Sequence, residues 1–246
     1  MRWLTAIPVY NEARHVADVL ARTHRYSPEI LVVNDGSTDG TAALLAAEPG
    51  ILRVDHPRNR GYGAALQTAF AYALAGGYDG LVTMDCDGQH EPARIPVLLE
   101  AMHDADIVSG SRYYRDFRQD TPAPTDRRFI NATITAELNA RYGLGITDAF
   151  CGFKAYSREA LEKLRITEDG WGMPLQLWVQ AARQGLRVKE IGVPRLYLDP
   201  TRAFGGMMND PEARLAYYRQ VLADAERDAL PGLPVADVSA CPGRCG

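Results

Sequence analysis

The chain has 246 residues, of which 46% are hydrophobic and 24% charged, an ordinary composition for a globular protein of one large or two small domains. Its formal net charge of −4 excludes a protein whose whole surface attracts nucleic acid. No apolar run approaches the roughly 18 residues that span a bilayer, and Met1-Arg2-Trp3 leads directly into a predicted strand, so we expect neither a transmembrane segment nor a secretory signal.

Strand and helix patterns alternate through the first half of the chain. Short apolar runs predict five strands, at residues 3–9, 29–33, 51–55, 81–84 and 107–109. Apolar residues at helical spacing predict four helices between them, at residues 12–25, 41–48, 61–75 and 95–103. This order predicts an α/β fold, with a mostly parallel sheet and helices on both faces. Sheets of this kind bind ligands at the carboxyl ends of their strands.

The second half of the chain is less regular. Its polar stretch over residues 113–124 contains two prolines and is predicted as a loop. Helices are predicted at residues 127–142, 175–184 and 211–228, and short strands at 152–156 and 187–193. Asp210 is the predicted cap of the last helix, since Pro211 suits the first helical position. We expect one domain over residues 1–229 and a flexible tail over 230–246.

The most informative motif, Asp85-Cys86-Asp87-Gly88-Gln89-His90, follows the fourth predicted strand. A turn at the strand end lets the carboxylates of Asp85 and Asp87 converge, and a divalent cation relieves their repulsion. Oxygen ligands of this kind suit Mg²⁺ or Mn²⁺, and such an ion can bind a diphosphate. Phosphatases of the haloacid dehalogenase type also present Asp-x-Asp-Gly, but on the first strand and with Thr or Val after the glycine. A plain acidic turn is the remaining alternative.

Polar residues also follow the first two strands. Tyr10 offers a stacking surface for a nucleobase, and Glu12 lies where it can reach a base or ribose, although a strand exit alone explains both. Asp35, in Asn34-Asp35-Gly36-Ser37, is fixed at a strand end and can accept a hydrogen bond from a nucleobase N–H. Ordinary turn and helix-cap chemistry is the alternative.

Two further groups can bind phosphate. Arg60 and Gly61 open a predicted helix, whose N-terminus allows phosphate to approach closely. Arg112 and Arg128 follow the fifth strand and can clamp a phosphate or an acceptor, with solvated surface arginines as the alternative.

Candidate general bases and the cysteines lie later in the chain. Asp148 and Asp169 are loop carboxylates that can activate an attacking group. The spacing of the cysteines does not resemble a disulfide framework, so a reducing cytoplasm is expected. We expect Cys86 and Cys151 to be packing residues. Cys241 and Cys245 lie in the Pro/Gly-rich tail, and a pair of thiolates does not complete a tetrahedral metal site.

Five sequence blocks taken together resemble the family-two glycosyltransferases with the GT-A fold, and in particular the dolichyl- or polyprenyl-phosphate mannosyltransferase-like branch. The resemblance covers about residues 3–198. The blocks are Ile7-Pro-Val-Tyr-Asn-Glu12, Val33-Asn-Asp-Gly-Ser-Thr-Asp-Gly40, Asn59-Arg-Gly-Tyr-Gly63, Met84-Asp-Cys-Asp-Gly-Gln-His-Glu-Pro92 and Asp148-Ala-Phe-Cys-Gly-Phe-Lys-Ala155.

The resemblance implies a Rossmann-like GT-A domain with a nucleotide-sugar-binding half at residues 1–110 and acceptor-side helices in a second half at 111–229. It implies an inverting, metal-dependent transfer from a GDP- or UDP-sugar. By this analogy Asp85, Asp87 and Gln89 hold Mg²⁺ or Mn²⁺ on the diphosphate. The donor-binding residues implied in this way are Pro8, Tyr10, Asn11, Glu12, Asp35, Gly36, Arg60, Gly61, Asp85, Cys86 and Asp87.

The same resemblance leaves two acceptors open. A lipid phosphate is already anionic, needs little base, and would be held by Arg112 and Arg128. A hydroxyl acceptor would need a base, for which Asp148 is the first candidate and Asp169 the second. The sequence departs from the lipid-phosphate branch in two respects, since Gln176 stands where that branch often has an acidic residue, and no predicted membrane helix follows.

A cytoplasmic enzyme at the inner face of the membrane remains compatible with the sequence. It would contact the membrane surface through a flexible apolar edge formed by Phe204, Met207 and Met208; a lid and simple packing are the alternatives for this segment. Two other functions stay open. A sugar-nucleotide nucleotidyltransferase would carry a glycine-rich signature where Pro8-Val9-Tyr10-Asn11-Glu12 stands, and a non-catalytic nucleotide-sugar-binding module would lack donor turnover.

Overall fold

The computed structural model describes residues 1–198 and 204–228. The predicted tail over residues 230–246, with Cys241 and Cys245, lies outside the described residues. One sheet of seven strands runs through the described part, in the order β3-β2-β1-β4-β6-β5-β7. The strands are β1 (Trp3–Val9), β2 (Ile30–Asn34), β3 (Ile51–Asp55), β4 (Gly80–Thr83), β5 (Ile107–Ser111), β6 (Lys154–Ser157) and β7 (Val188–Gly192).

Helices cover both faces of this sheet, as the alternating pattern predicts. Side chains on adjacent positions of β2 enter different cores, because a strand turns successive residues to opposite faces. The helices are α1 (Val16–Thr23), α2 (Thr41–Ala47), α3 (Tyr62–Ala75), α4 (Ile95–Ala101), α5 (Thr125–Tyr142), α6 (Arg158–Lys163), α7 (Met173–Arg183) and α8 (Pro211–Arg227). Leu31 and Val33 of β2 join the core beneath α3, α5, α7 and α8, whereas Ile30 and Val32 join the core beneath α1, α2 and α4.

The sheet is mostly parallel but contains one reversed strand. β6 pairs antiparallel with both β4 and β5, and all other neighbouring strands pair in parallel. Apolar patterning does not report strand direction, so the sequence predicts the strand but not its reversal. The reversal directs residues 148–153, which precede β6, toward the carboxyl ends of β4 and β5, where the candidate site lies.

Several helices differ from the prediction, and α1 covers only Val16–Thr23 of the predicted 12–25. Residues 92–104 form α4 with a short 3₁₀ turn at each end, rather than one helix over 95–103. α6 was not predicted, because six residues are too few to show a helical period. Ser157 caps this helix, since its Oγ accepts a hydrogen bond from the Ala160 N–H at 3.1 Å. Asp210 caps α8 in the same way, accepting from the Ala213 N–H at 2.7 Å, as predicted.

Within residues 1–198 and 204–228, we find no helix with the length and apolar character required to cross a membrane.

Candidate functional site

A cavity of about 870 Å³ opens at the carboxyl ends of β1, β2 and β4. Its wall combines the polar loops after these strands with side chains from α5, α8 and the segment after β7. The structure therefore brings together eleven of the predicted site residues. These are Pro8, Tyr10, Asn11, Glu12, Asp35, Gly61, Asp85, Cys86, Asp87, Gln89 and Arg112.

The loop after β1 is held by the loop after β2. Asn11 takes a positive φ of 56°, which asparagine tolerates better than most residues. Its Oδ1 accepts from the Thr38 N–H at 2.8 Å, and its own N–H donates to Ser37 Oγ at 3.0 Å. The next N–H, of Glu12, donates to Thr41 Oγ1 at 2.9 Å. The Ser/Thr-rich turn thus fixes the backbone that presents Tyr10 and Glu12 to the cavity.

Asp35 follows β2 directly and is only 3% exposed, although it lines the cavity. Its Oδ1 accepts from His56 Nδ1 at 2.6 Å and from the Arg60 N–H at 2.9 Å. Its Oδ2 accepts from the Gly61 N–H at 2.8 Å. Burial raises the pKa of Asp35, but these hydrogen bonds outweigh burial and lower it below the usual value. Because a carboxylate has about four acceptor positions, Oδ2 keeps one for a ligand N–H.

Gly36 and Arg60 have supporting roles rather than the predicted direct ones. Neither lines the cavity, and the Arg60 side chain is exposed. A Cβ on Gly36 would lie 2.3 Å from the Arg58 carbonyl carbon, so glycine is needed where this loop passes β2. Arg60 contributes its main-chain N–H to Asp35. The charge of its side chain does not predict this main-chain contact.

Asp85 and Asp87 both face the cavity after β4. Asp85 Oδ1 accepts from the Tyr62 hydroxyl at 3.0 Å, and the main-chain N–H of Asp85 donates to His90 Nδ1 at 3.0 Å. Asp87 Oδ1 accepts from the Gln89 N–H at 3.0 Å. Burial and the charge of Asp85 raise the pKa of Tyr62 well above its ordinary value, so its hydroxyl remains a donor. The Asp85 carboxylate is therefore held by Tyr62 from outside the motif, and the Asp87 carboxylate by the Gln89 N–H within it.

The donor set at this turn fits a hard divalent cation. Asp85, Asp87 and Gln89 all line the cavity. In the part of the chain that the structure describes, no group of three His, Cys, Asp or Glu side chains is placed to hold a metal. Mg²⁺ is often bound by one or two carboxylates with substrate phosphates and water completing its shell. Asp85 and Asp87 fit that arrangement.

The backbone of Gly152 packs against the Asp85 carboxylate, and we expect Gly152→Ala to disturb it. A Cβ there would lie 2.6 Å from the Tyr62 hydroxyl and 2.7 Å from both Asp85 carboxylate oxygens. The clash should displace the carboxylate, lower kcat/KM about 10–100-fold, and weaken the response of the melting temperature to Mn²⁺. Gly40→Ala is the matched control, since its Cβ would lie 3.8 Å from the nearest atom. An unchanged Mn²⁺ response in Gly152→Ala would contradict this role.

Asp148 does not have the position of a catalytic base, which corrects the first prediction for that role. It is 0% exposed and does not line the cavity. Arg112 Nε and Nη2 donate to its two oxygens at 2.7 and 2.9 Å, and Asn131 Nδ2 donates at 2.6 Å. Burial raises the pKa of Asp148, but the charge and hydrogen bonds of Arg112 lower it to about 2. A carboxylate this acidic is a weak base, so its role is to orient the Arg112 guanidinium, which lines the cavity.

A further carboxylate, Glu190, holds the loop that carries Asp148. From β7 it accepts from the Thr147 N–H at 2.8 Å, from Thr147 Oγ1 at 2.7 Å and from the Asp148 N–H at 3.2 Å. Burial raises the pKa of Glu190 above its ordinary value. Thr147 Oγ1 also lies 2.6 Å from Ser111 Oγ. No sequence pattern predicts these contacts of Glu190 and Thr147, because β7 lies beside β5 only in the folded sheet.

Two other predicted residues also lie outside the cavity wall. Asp169 is exposed, its carboxylate accepts from Gln67 at 3.0 Å, and its carbonyl accepts from the Ala64 N–H at the start of α3. Asp169 therefore supports a helix end and is not placed as a base. Arg128 points to solvent from α5, and its neighbour Arg127 lines the cavity instead. A helix turns about 100° per residue, so a one-residue error changes the face.

The cavity also contains aromatic and basic residues that are not among the predicted donor, acceptor or metal residues. Trp171 stacks on Tyr62 with ring centres 5.2 Å apart. Arg127 and Arg214 lie over the ring of Phe204, 4.7 and 4.6 Å from its centre. Arg214 is 3% exposed and pairs with Asp126. These residues come from distant parts of the chain, so no local motif marks them.

Gln176, the departure noted in the sequence, has a structural role. It is 4% exposed, and its Oε1 accepts from the Thr167 and Glu168 N–H groups at 2.8 and 2.9 Å. Its amide therefore fixes the loop before Trp171 and does not line the cavity.

Comparison with known families and proteins supports this view of the chain. The family model described as Glycosyl transferase family 2 matches residues 5–165. The chain is 37% identical over 202 residues to an undecaprenyl-phosphate mannosyltransferase of Micrococcus luteus, covering 78% of this chain and 83% of that protein. It is 36% identical over 209 residues to a polyprenol monophosphomannose synthase of Mycolicibacterium smegmatis, covering 78% and 76% respectively.

Solved structures show the same fold at lower identity. A glucosyl-3-phosphoglycerate synthase from Mycobacterium tuberculosis, crystallised with Mn²⁺, UDP-glucose and phosphoglyceric acid, superposes with a TM-score of 0.71. The alignment has 21% identity and covers 91% of this chain and 79% of that one. The same protein with Mg²⁺ and UDP gives a TM-score of 0.69 at 20% identity, again covering 91% and 79%. The predicted GT-A fold is confirmed.

Proposed function

The chain belongs to glycosyl transferase family 2 and is a glycosyltransferase, and we propose that it moves a sugar from a nucleoside-diphosphate sugar to a polyprenyl phosphate. The observation that carries the proposal is that one cavity is lined by two groups of opposite charge carried on different elements. Asp85 and Asp87 follow β4 and are called the acidic end; Arg112 after β5, Arg127 on α5 and Arg214 on α8 are called the basic end. Opposite charges of this kind suit a cation-bound diphosphate on one side and an anionic acceptor on the other.

The donor is proposed to lie across the loops after β1, β2 and β4, within residues 1–110. Tyr10 is 44% exposed at the wall and can stack on a base, and Asp35 Oδ2 keeps an acceptor position for a base N–H. Mg²⁺ or Mn²⁺ at Asp85 and Asp87, with Gln89 close by, would neutralise charge on the departing diphosphate. The pattern suits GDP- and UDP-sugars alike.

The acceptor is proposed to enter from the half formed by residues 111–229. Arg112 is fixed by Asp148, and its guanidinium presents hydrogen-bond donors to the cavity. A phosphate is already a competent nucleophile at neutral pH, so the reaction requires no general base. This agrees with the positions of Asp148 and Asp169, neither of which reaches the cavity. Attack from the face opposite the diphosphate would invert the anomeric centre. The reaction would take place in the cytoplasm, at the inner face of the membrane.

Donor binding can be tested by the melting temperature with a panel of GDP- and UDP-sugars, each with and without Mn²⁺. A ligand at a hundredfold excess over its dissociation constant stabilises the folded state by about 2.7 kcal/mol. We expect one donor class to give this shift, and only with the metal. A shift of equal size without metal would contradict the cation site. Transfer of radiolabelled sugar to a short-chain polyprenyl phosphate in detergent then tests the acceptor, and transfer to a simple alcohol alone would contradict it.

A further inference from the structure

Trp171 is an exposed aromatic residue of the cavity wall to which neither nucleotide nor acceptor binding assigns a role. Among the aromatic residues that line the cavity in the described part of the chain, only Tyr10 and Trp171 are exposed, at 44% and 39%. Tyr10 is proposed to stack on the nucleobase. The indole of Trp171 therefore keeps open surface for another part of a ligand.

Ring contacts of Trp171 connect it to both charged ends of the cavity. Its ring is stacked on that of Tyr62, with centres 5.2 Å and planes 15° apart, and the Tyr62 hydroxyl donates to Asp85 at the acidic end. Its ring also meets that of Phe204 edge-on, with centres 5.5 Å apart. Two arginines of the basic end lie over the Phe204 ring. One aromatic ring thus separates Trp171 from each end.

The backbone on both sides of Trp171 is held in place. The Gly172 N–H donates to the Tyr217 hydroxyl of α8 at 3.2 Å, and the Gly170 N–H donates to Glu168 Oε1 at 2.8 Å. The Tyr217 hydroxyl donates to that same carboxylate oxygen. The indole is therefore carried by a fixed backbone, and little ordering is needed when a ligand packs on it.

The sugar of the proposed reaction must lie within reach of both charged ends. Its anomeric carbon loses the bond to the diphosphate oxygen, which leaves with the electron pair, and gains a bond to an oxygen of the acceptor phosphate. The diphosphate is proposed at the acidic end and the acceptor phosphate at the basic end, so Trp171 lies beside the path between them. A pyranose presents C–H groups on its ring faces, and such groups pack well against the negative face of an aromatic ring.

We propose that Trp171 is the platform on which the ring of the transferred sugar packs. The inference rests on the proposed function and adds the part of the donor that the nucleotide contacts leave open. The ligand class is a pyranose that turns a C–H face toward the indole. A sugar that turns a charged group or several hydroxyls toward it would lose hydrogen bonds to water there and should bind more weakly.

The test separates binding of the sugar from binding of the nucleotide. The probes are free GDP or UDP and the GDP- or UDP-sugar that gives the metal-dependent melting shift, each titrated calorimetrically into the full chain with Mn²⁺. The measured quantity is the Kd of the free diphosphate divided by that of its sugar derivative. Trp171→Leu should lower this ratio about fivefold to tenfold, whereas Trp171→Phe keeps an aromatic face and should lower it less than about threefold.

Tyr26→Leu is the matched control, because Tyr26 is an aromatic residue of similar exposure, 42%, that does not line the cavity. It should keep the wild-type ratio. Wild-type fluorescence gives a second measurement that does not depend on a variant folding. The sugar nucleotide should change the tryptophan emission beyond the effect of the free diphosphate, and Trp171→Phe should remove that difference.

An unchanged ratio in Trp171→Leu would overturn the platform. If both dissociation constants rose equally, the ring would act only through Tyr62 and Asp85; if neither rose, it would touch no part of the donor. Equal emission of the wild type with both probes would also contradict the proposal. Failure of every GDP- and UDP-sugar to bind with Mn²⁺ would refute the proposed function and the platform with it, whereas normal donor binding with an unchanged ratio refutes the platform alone.

Discussion

Asp87→Asn should lower kcat/KM by a factor on the order of 10³ while leaving the fold intact. The change removes one negative charge from a turn that holds two carboxylates toward one cavity. It keeps the size of the side chain and one oxygen, which can still accept from the Gln89 N–H. The loss should therefore fall on cation binding. We expect the Mn²⁺ concentration for half-maximal activity to rise and the metal-dependent part of the donor melting shift to disappear.

Asp104→Asn is the matched control for the loss of one negative charge. Asp104 is an exposed residue that pairs with Lys189 at 2.9 Å and does not line the cavity. Exposed pairs contribute about 0–1 kcal/mol to stability, so both activity and metal response should stay near wild type. If Asp87→Asn retained the wild-type Mn²⁺ dependence, the acidic end of the cavity would not be a metal site.

The acidic end was the part of the site that the sequence predicted best. Asp85 and Asp87 follow a short apolar strand directly, and a strand end fixes where its next residues lie. The loops after β1 and β2 are predictable for the same reason, since parallel neighbours end at one edge. The alternation of strands and helices likewise determined the layers of the fold. It could not reveal the reversal of β6, which depends on pairing partners far apart in the chain.

The basic end was predicted less well, because it is assembled from helix faces and long-range contacts. Arg128 was predicted to hold the acceptor, but its neighbour on α5, Arg127, lines the cavity. One residue along a helix changes the direction of the side chain by about 100°. Arg214 lies in the first turn of α8 and packs against Phe204, which is distant in the sequence from the strand ends. Asp148 was placed correctly in a loop beside the site, but its burial and its pairing with Arg112 are tertiary properties. No spacing rule distinguishes an orienting carboxylate from a base.

Asp148→Asn should be the most informative change at the basic end, with effects on both stability and transfer. The pKa of Asp148 is lowered from 3.8 to about 2, so its ionisation contributes about 2 kcal/mol above pH 4 that is lost as the pH falls toward 2. Removing one partner of a buried pair costs about 3–5 kcal/mol, and Arg112 keeps 18% exposure. We therefore expect a loss of about 3 kcal/mol in urea unfolding at pH 7, shrinking between pH 4 and pH 2.

Asp106→Asn is the stability control, because it breaks another two-point Asp–Arg contact. Arg187 Nε and Nη2 bond the two oxygens of Asp106 at 3.1 and 2.8 Å, but Arg187 is 63% exposed. The Asp106 side chain is 11% exposed, but water can solvate the freed Arg187 guanidinium, so a smaller loss than that of Asp148→Asn is expected. Transfer should be unaffected, since neither residue lines the cavity.

The effect of Asp148→Asn on transfer separates an orienting role from a basic one through a double-mutant cycle with Arg112→Ala. If Asp148 acts by fixing the Arg112 guanidinium, the single change should raise the acceptor KM and lower kcat/KM about 10²-fold. Added to Arg112→Ala, the same change should cost almost nothing more, because the group it orients is gone. A general base would lower kcat by the same factor with or without Arg112. Additive losses would therefore restore Asp148 to the reaction itself and require a hydroxyl acceptor in place of a phosphate.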